Sequence, residues 1–241
     1  MAETTSQVHF AISAPPKFDL ETLHSLGEWL LNTTEPLKMT YEEFLAWADE
    51  DTLAEWVNGE VIMTSPASNQ HQDISDFLTA LLRIYVQSRA LGVVRSAPFQ
   101  MKLIHGREPD LLFIGREHLN RLKPTYLDGP ADLVIEIISP ESVSRDRGAK
   151  FYEYATGGVP EYWLLDPEAH HAEFYQLDKG YYRQIFSGEA GRYESAVLPG
   201  FWLCAEWLWQ DPLPSTTRTV AEIVGMDAAL IAAFEQALRG V

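Results

Sequence analysis

The run Leu133-Val134-Ile135-Glu136-Ile137-Ile138-Ser139 constrains this chain more than any other segment. Its unbroken apolar character reads as a β-strand buried on both faces. Such a strand needs covering layers on either side, which points to an α/β or α+β fold. One residue disagrees with the rest. A buried Glu136 carboxylate is costly unless it is paired or holds a metal ion.

Partners for Glu136 stand on neighbouring segments. Upstream, Glu108-Pro109-Asp110 leads into Leu111-Leu112-Phe113-Ile114, a second apolar strand with an acid at its start. Downstream, Lys150 falls on a predicted helix over 144–156, stopped by Gly157-Gly158. An Asp, a Glu and a Lys on adjacent elements suit metal-dependent phosphodiester cleavage. That reaction needs an activated water, a clamp on the developing charge and help for the leaving oxygen. Strand carboxylates give Mg²⁺ the hard oxygen ligands it prefers, with Mn²⁺ as a substitute. A lysine beside the metal stabilises phosphate charge or orients the water. Each residue also has a plainer role. Asp110 can cap a turn after Pro109, and Lys150 can pair with Asp146 at i,i+4. Glu136 is the hardest to explain structurally.

Glu55 stands in an apolar setting (Leu53, Trp56, Val57), either as a surface strand residue or as a further acid of the site. His71 opens a helix and is either structural or has a catalytic or phosphate-facing role. Tyr152, Tyr154, Tyr162 and Trp163 read as core aromatics, and His170-His171 as a surface dyad in a turn. No Gly-x-Ser-x-Gly, Walker-type loop or dinucleotide fingerprint is present. The lone cysteine, Cys204, excludes an intrachain disulfide and a Cys-rich zinc site.

Along the chain, Asp19 to Leu31 reads as a short amphipathic helix and Asn32 to Pro36 as a linker. Thr40-Tyr41-Glu42-Glu43 resembles a capping box opening a helix to about Ala48. Asn58-Gly59 between apolar stretches predicts a hairpin over 55–63. A helix follows over 69–90, then strands at 93–104, 109–115, 131–138 and 161–167. Residues 174–177 and 181–186 form a predicted hairpin, 193–198 a further strand and 219–239 a C-terminal helix. This order predicts a central mixed sheet flanked by helices.

The net charge of −17 argues against nucleic acid at first sight. Its distribution is uneven. Residues 1–82 carry 2 Lys/Arg and 14 Asp/Glu, residues 83–150 carry 11 and 8, and residues 151–241 carry 5 and 13. The stretch holding Asp110, Glu136 and Lys150 alone has a positive balance. It reads either as chance clustering of solvated charge or as a basic cleft on an acidic body. A cleft of that kind binds DNA weakly, with a shallow salt dependence. Neither a leader pattern nor an apolar run of membrane-spanning length stands out, so a cytoplasmic protein is expected.

Taken in order, several segments carry a resemblance. They are Met39-Thr40-Tyr41-Glu42-Glu43-Phe44, Glu55-Trp56-Val57-Asn58-Gly59-Glu60, Ser65-Pro66 with His71, and Pro109-Asp110. They continue with Val134-Ile135-Glu136-Ile137-Ile138-Ser139-Pro140, Lys150 with Tyr154, and Gly158-Val159-Pro160-Glu161-Tyr162-Trp163-Leu164-Leu165-Asp166. Over roughly residues 38–209 the chain resembles the Uma family of putative restriction endonucleases, within the PD-(D/E)xK nuclease superfamily. The resemblance implies a restriction-endonuclease-like core, with 1–37 an N-terminal extension and 210–241 a helical appendage. It implies Asp110 and Glu136 as metal ligands and the Ile137 carbonyl as a third. The superfamily lysine position holds Ile138, and the resemblance implies that Lys150 replaces it. The reading is a Mg²⁺-dependent DNA endonuclease in which Glu55 assists. Its rivals are a non-catalytic nucleic-acid or protein-interaction module of the same fold, and a hydrolase of small phosphoesters. A homodimer is expected from the need to cut two strands. Trp202, Trp207, Trp209 and the C-terminal helix are read as its interface or as packing on their own core.

Overall fold

The computed structural model describes residues 37–49, 52–63 and 67–240. The predicted helix Asp19–Leu31 and the linker after it lie outside the described residues. Thr40 opens helix α1 (Tyr41–Trp47) with both hydrogen bonds of the expected capping box to Glu43. Strands β1 (Ala54–Val57) and β2 (Glu60–Met63) form the expected hairpin. Asn58 and Gly59 turn it with φ of 53° and 86°, as a two-residue turn of type I′ requires. Ser68 caps helix α2 (Asn69–Ser88), accepting from the His71 N–H at 3.2 Å.

The strand predicted over 93–104 is two strands in different sheets, β3 (Gly92–Ser96) and β4 (Gln100–Lys102). Pro98 lies between them and has no N–H to give a ladder. Strands β5 (Gly106–Arg107), β6 (Leu111–Gly115), β7 (Tyr126–Asp128) and β8 (Leu133–Ile137) follow. The helix predicted over 144–156 is also divided. Arg145–Lys150 forms a π-helical turn, and helix α3 covers Phe151–Gly157, ended by Gly158 at φ 85°. Next come β9 (Glu161–Asp166), β10 (His171–Asp178) and β11 (Tyr181–Gly188). The strand predicted over 193–198 stops early, as β12 (Arg192–Glu194), which pairs with β13 (Trp202–Cys204). The single C-terminal helix is instead α4 (Thr216–Ile223) and α5 (Ala228–Arg239). Gly225, at φ 68°, ends the first of them. Among the described residues no helix is long and apolar enough to cross a membrane.

Six strands form the main sheet, in the order β11-β10-β9-β8-β6-β3. Only β8 and β9 run parallel, so the sheet is mixed, as expected. A second sheet has the order β2-β1-β5-β4-β7. The two faces of β8 have different neighbours. Leu133, Ile135 and Ile137 join Ile74, Leu78, Leu81 and Tyr85 of α2 in one core. Val134 and Ile138 join Leu112, Tyr154, Tyr162 and Leu164 in another. Strand alternation assigns Glu136 to the second face, where it is 3% exposed. Each fully covered Leu or Ile contributes about 1.5–3 kcal/mol to holding these layers. Trp202, Trp207 and Trp209 are partly buried and pack against the first core. Tyr154, Tyr162 and Trp163 are buried as expected, but Tyr152 is 71% exposed because it falls on the outer side of α3.

A second buried acid, Glu161, opens β9, where the sequence shows only another apolar strand. Its Oε1 accepts from Trp163 Nε1 at 2.6 Å and Tyr193 OH at 3.0 Å. Its Oε2 accepts from Ser195 Oγ at 3.0 Å, the Ala196 N–H at 2.8 Å and the Val197 N–H at 3.1 Å. Residues 195–197 leave the strand geometry to make these bonds. Glu161→Gln sets an NH₂ donor against one of these donor sets. It should cost about 2–3 kcal/mol, read as a lower urea midpoint at unchanged slope. A loss below about 0.5 kcal/mol contradicts the structural role.

Candidate active site

Strands β6 and β8 are antiparallel with Leu111 opposite Ile135, so the register one step further sets Asp110 opposite Glu136. Asp110 Oδ2 accepts the Ile137 N–H at 2.6 Å, which fixes the aspartate to the end of β8. His71, in the first turn of α2, places Nε2 3.3 Å from Asp110 Oδ1. Its Nδ1 is buried and makes no hydrogen bond among the described residues.

Glu136 Oε1 accepts from Lys150 Nζ at 3.0 Å and from Tyr154 OH at 2.7 Å. The same ammonium lies 3.1 Å from Glu55 Oε1 and 3.2 Å from Asp146 Oδ1. The Asp146 contact is Coulombic, since Oδ1 is off any hydrogen-bond line. Glu55 is held in turn by Arg107 Nη1 at 3.1 Å and the Glu108 N–H at 3.3 Å. Arg107 Nε donates to Glu153 at 2.8 Å. Glu55, Arg107, Glu136, Asp146, Lys150 and Glu153 are all buried. Asp110 and His71, with side chains 20% and 15% exposed, form the solvent-facing edge of the cluster.

Burial disfavours the Lys150 ammonium, but Glu136, Glu55 and Asp146 outweigh it and hold the lysine charged, well above its ordinary range. Burial pushes Glu136 well up. Lys150 opposes this, while the charges of Asp146, Asp110 and Glu55 add to it. Burial also works against ionised Glu55, but Lys150 and Arg107 prevail and lower it. For His71, burial is outweighed by Asp110, and the ring titrates higher than usual.

Among the described residues no three His, Cys, Asp or Glu side chains are arranged to hold a metal. Mg²⁺ commonly uses only one or two carboxylates and keeps several waters. Asp110 and Glu136 fit that pattern in donor type. They also fit in charge: the carboxylates of Asp110, Glu136, Glu55, Asp146 and Glu153 outnumber the cations Lys150 and Arg107.

Residues 41–206 match the Uma2 family, whose description reads "Putative restriction endonuclease". The chain belongs to the Uma2 family. A solved structure with a similar fold is that of a putative nuclease belonging to DUF820 from Anabaena variabilis ATCC 29413. It covers 71% of this chain and 97% of its own, with a TM-score of 0.62 and 16% identity. At that identity the likeness is one of fold. No curated protein matches the sequence.

In this Uma2 chain the four side chains named from sequence lie around one cluster. Asp110 is bonded to the Ile137 N–H, next to Glu136, and Lys150 links Glu136 to Glu55. Ile137 contributes its N–H to Asp110. Ile138, two residues after Glu136, is 5% exposed in the second core, and the Lys150 ammonium arrives from the π-helical turn. His170 stacks on Trp209 and His171 pairs with Ser187, so neither joins the cluster. Sequence reading missed Tyr154 as a partner of Glu136, and it missed Arg107 and Glu153. It took Asp146 for an ordinary helical ion pair, whereas the residue is 1% exposed. The spacing of Asp146, Lys150 and Tyr154 at i, i+4 and i+8 was the available signal.

Burial and then the Glu55 charge push the Glu108 carboxyl up to about 7. A folded-state value above that of the unfolded chain gives stability that is full at low pH and lost as pH rises through the folded value. Between about pH 5 and 8 wild type should therefore lose stability that Glu108→Gln does not lose. Urea titrations across that range test this, and parallel profiles contradict it.

Proposed function

We propose that this chain is a Mg²⁺-dependent DNA endonuclease that hydrolyses phosphodiester bonds. One observation carries the reading. A lysine ammonium stands 3.0 Å from a buried strand carboxylate, whose neighbour across the sheet is a partly exposed aspartate. Asp110 and Glu136 would hold the metal, with the Ile137 carbonyl as a third oxygen and Mn²⁺ as a substitute ion. When bound, the metal lowers the pKa of its water and screens the phosphate charge.

In the reaction the water oxygen bonds to phosphorus and a bridging P–O bond breaks. The water's proton passes to solvent, and the departing oxygen takes one up. The residues of this chain prepare that step. Lys150 stays charged and is not a base; it donates to a phosphate oxygen or the attacking water and offsets charge in the transition state. Tyr154 fixes the orientation of Glu136. Glu55 is engaged by Lys150, Arg107 and the Glu108 N–H, so its assistance consists of positioning Lys150. Asp110, at the open edge, is where the phosphate approaches. Cutting both strands calls for two such sites, hence a homodimer. A DNA substrate and a single cysteine, Cys204, suit a cytoplasmic setting.

Glu136→Gln keeps an oxygen for Tyr154 and Lys150 but removes the charge. It should reduce Mg²⁺-dependent nicking of supercoiled plasmid about 100-fold or more, with urea unfolding close to wild type. Undiminished cleavage by the variant rules out the assignment.

A further inference from the structure

Helix α2 and the edge strand β3 border a groove of ≈ 290 Å³ lined by Arg83, Val86, Gln87 and residues 92–95. Four arginines gather along this edge. Arg83 and Arg95 line the groove. Arg89 caps α2 and lies 4.5 Å over the Tyr85 ring. Arg116 donates to the Ala90 carbonyl, next to Leu91. Among the described residues, arginine ion pairs are made by Arg107, Arg147, Arg192 and Arg218, and by none of these four. In a chain with 35 Asp/Glu against 18 Lys/Arg, a cluster of arginines that makes no ion pair among the described residues suits an anionic partner from outside.

The chemistry of the edge suits phosphate. Guanidinium groups present a planar donor fork that matches phosphate oxygens. An edge strand also has N–H groups on one side without a strand partner. Both bordering elements lead to the candidate active site. The Ala97 N–H, just past β3, donates to the Asp110 carbonyl at 3.0 Å. At its first turn α2 carries His71, which contacts Asp110. Arg83 lies about 18 Å further along that helix, the length of about five base-pair steps. Exposed Asp73 and Asp76 stand between. The site and the arginine edge are therefore two separate places along one helix.

We propose that the edge formed by Arg83, Arg89, Arg95 and Arg116 binds the phosphate backbone of the DNA substrate away from the scissile bond. This rests on the phosphodiester-cleaving reading above. It also explains how a strongly acidic chain engages DNA: the contacts are confined to a local cluster of arginines.

The test is fluorescence anisotropy of a labelled duplex of about 20 base pairs with the full chain in EDTA, over a series of salt concentrations. Arg83→Gln/Arg95→Gln should weaken binding about tenfold, and the slope of log K against log salt should become shallower by about 2. Arg192→Gln, at an exposed arginine already paired with Glu194, should behave as wild type. A double variant with wild-type affinity and slope overturns the proposal. So does one that alters only self-association in sedimentation, which makes the edge an interface between copies. Wild type that neither binds nor cleaves DNA overturns the endonuclease reading as well. Wild type that cleaves, beside a double variant indistinguishable from it in binding, overturns the arginine edge alone.

Discussion

Carboxylates of Glu136, Glu55 and Asp146 surround the Lys150 ammonium, each within 3.2 Å. This contact ties together parts of the chain that are far apart in sequence: the β1 hairpin, strand β8 and the π-helical turn. Lysine buried in this way is stable only with its counter-charges, and the acids are stable only with the lysine. Removing the lysine charge from such a set leaves its buried carboxylates uncompensated, at a cost of about 3–5 kcal/mol. Arg107 extends the set to Glu153 and so fixes Glu55 from behind. Asp110 and His71, partly exposed, stand at the solvent-facing edge of the set. Held rigidly before any ligand arrives, the ammonium needs little reorganisation to act on a phosphate.

Glu136 and Glu161 show what separates a buried acid with a site around it from one that serves the fold. Both stand in apolar strands, and on sequence alone their settings look alike. Glu161 receives five donors from its own neighbourhood, including the turn at 195–197. Glu136 meets an ammonium and a phenol on one oxygen, and like charges crowd it. Sequence attracted attention to the first and not the second. Apart from Trp163, two residues from Glu161, the partners that distinguish them come from positions 14 to 36 residues away, and no local pattern encodes those distances.

Local chemistry made much of the fold legible. Thr40 with Glu43, Asn58-Gly59, Ser68 and Gly158 are boundaries set by capping and by positive φ, and they lie where sequence places them. Errors arose where a tertiary demand overrode a local pattern. Residues 195–197 gave up strand pairing to serve Glu161. Pro98 divided a run whose hydrophobicity read as continuous. The turn at Arg145–Lys150 adopted π geometry, whereas periodicity indicates only a helix. That turn matters most, because it carries Lys150 to Glu136.

Membership of the Uma2 family, the sheet that sets Asp110 opposite Glu136 and the buried lysine converge on one claim: these two strand acids are the seat of a divalent cation. Diffraction at the manganese edge from crystals soaked in Mn²⁺ tests it directly. The account predicts an anomalous peak about 2 Å from carboxylate oxygens of both Asp110 and Glu136, lost in Asp110→Asn. A peak elsewhere, or none at these two residues in crystals that bind Mn²⁺ at other positions, would contradict it.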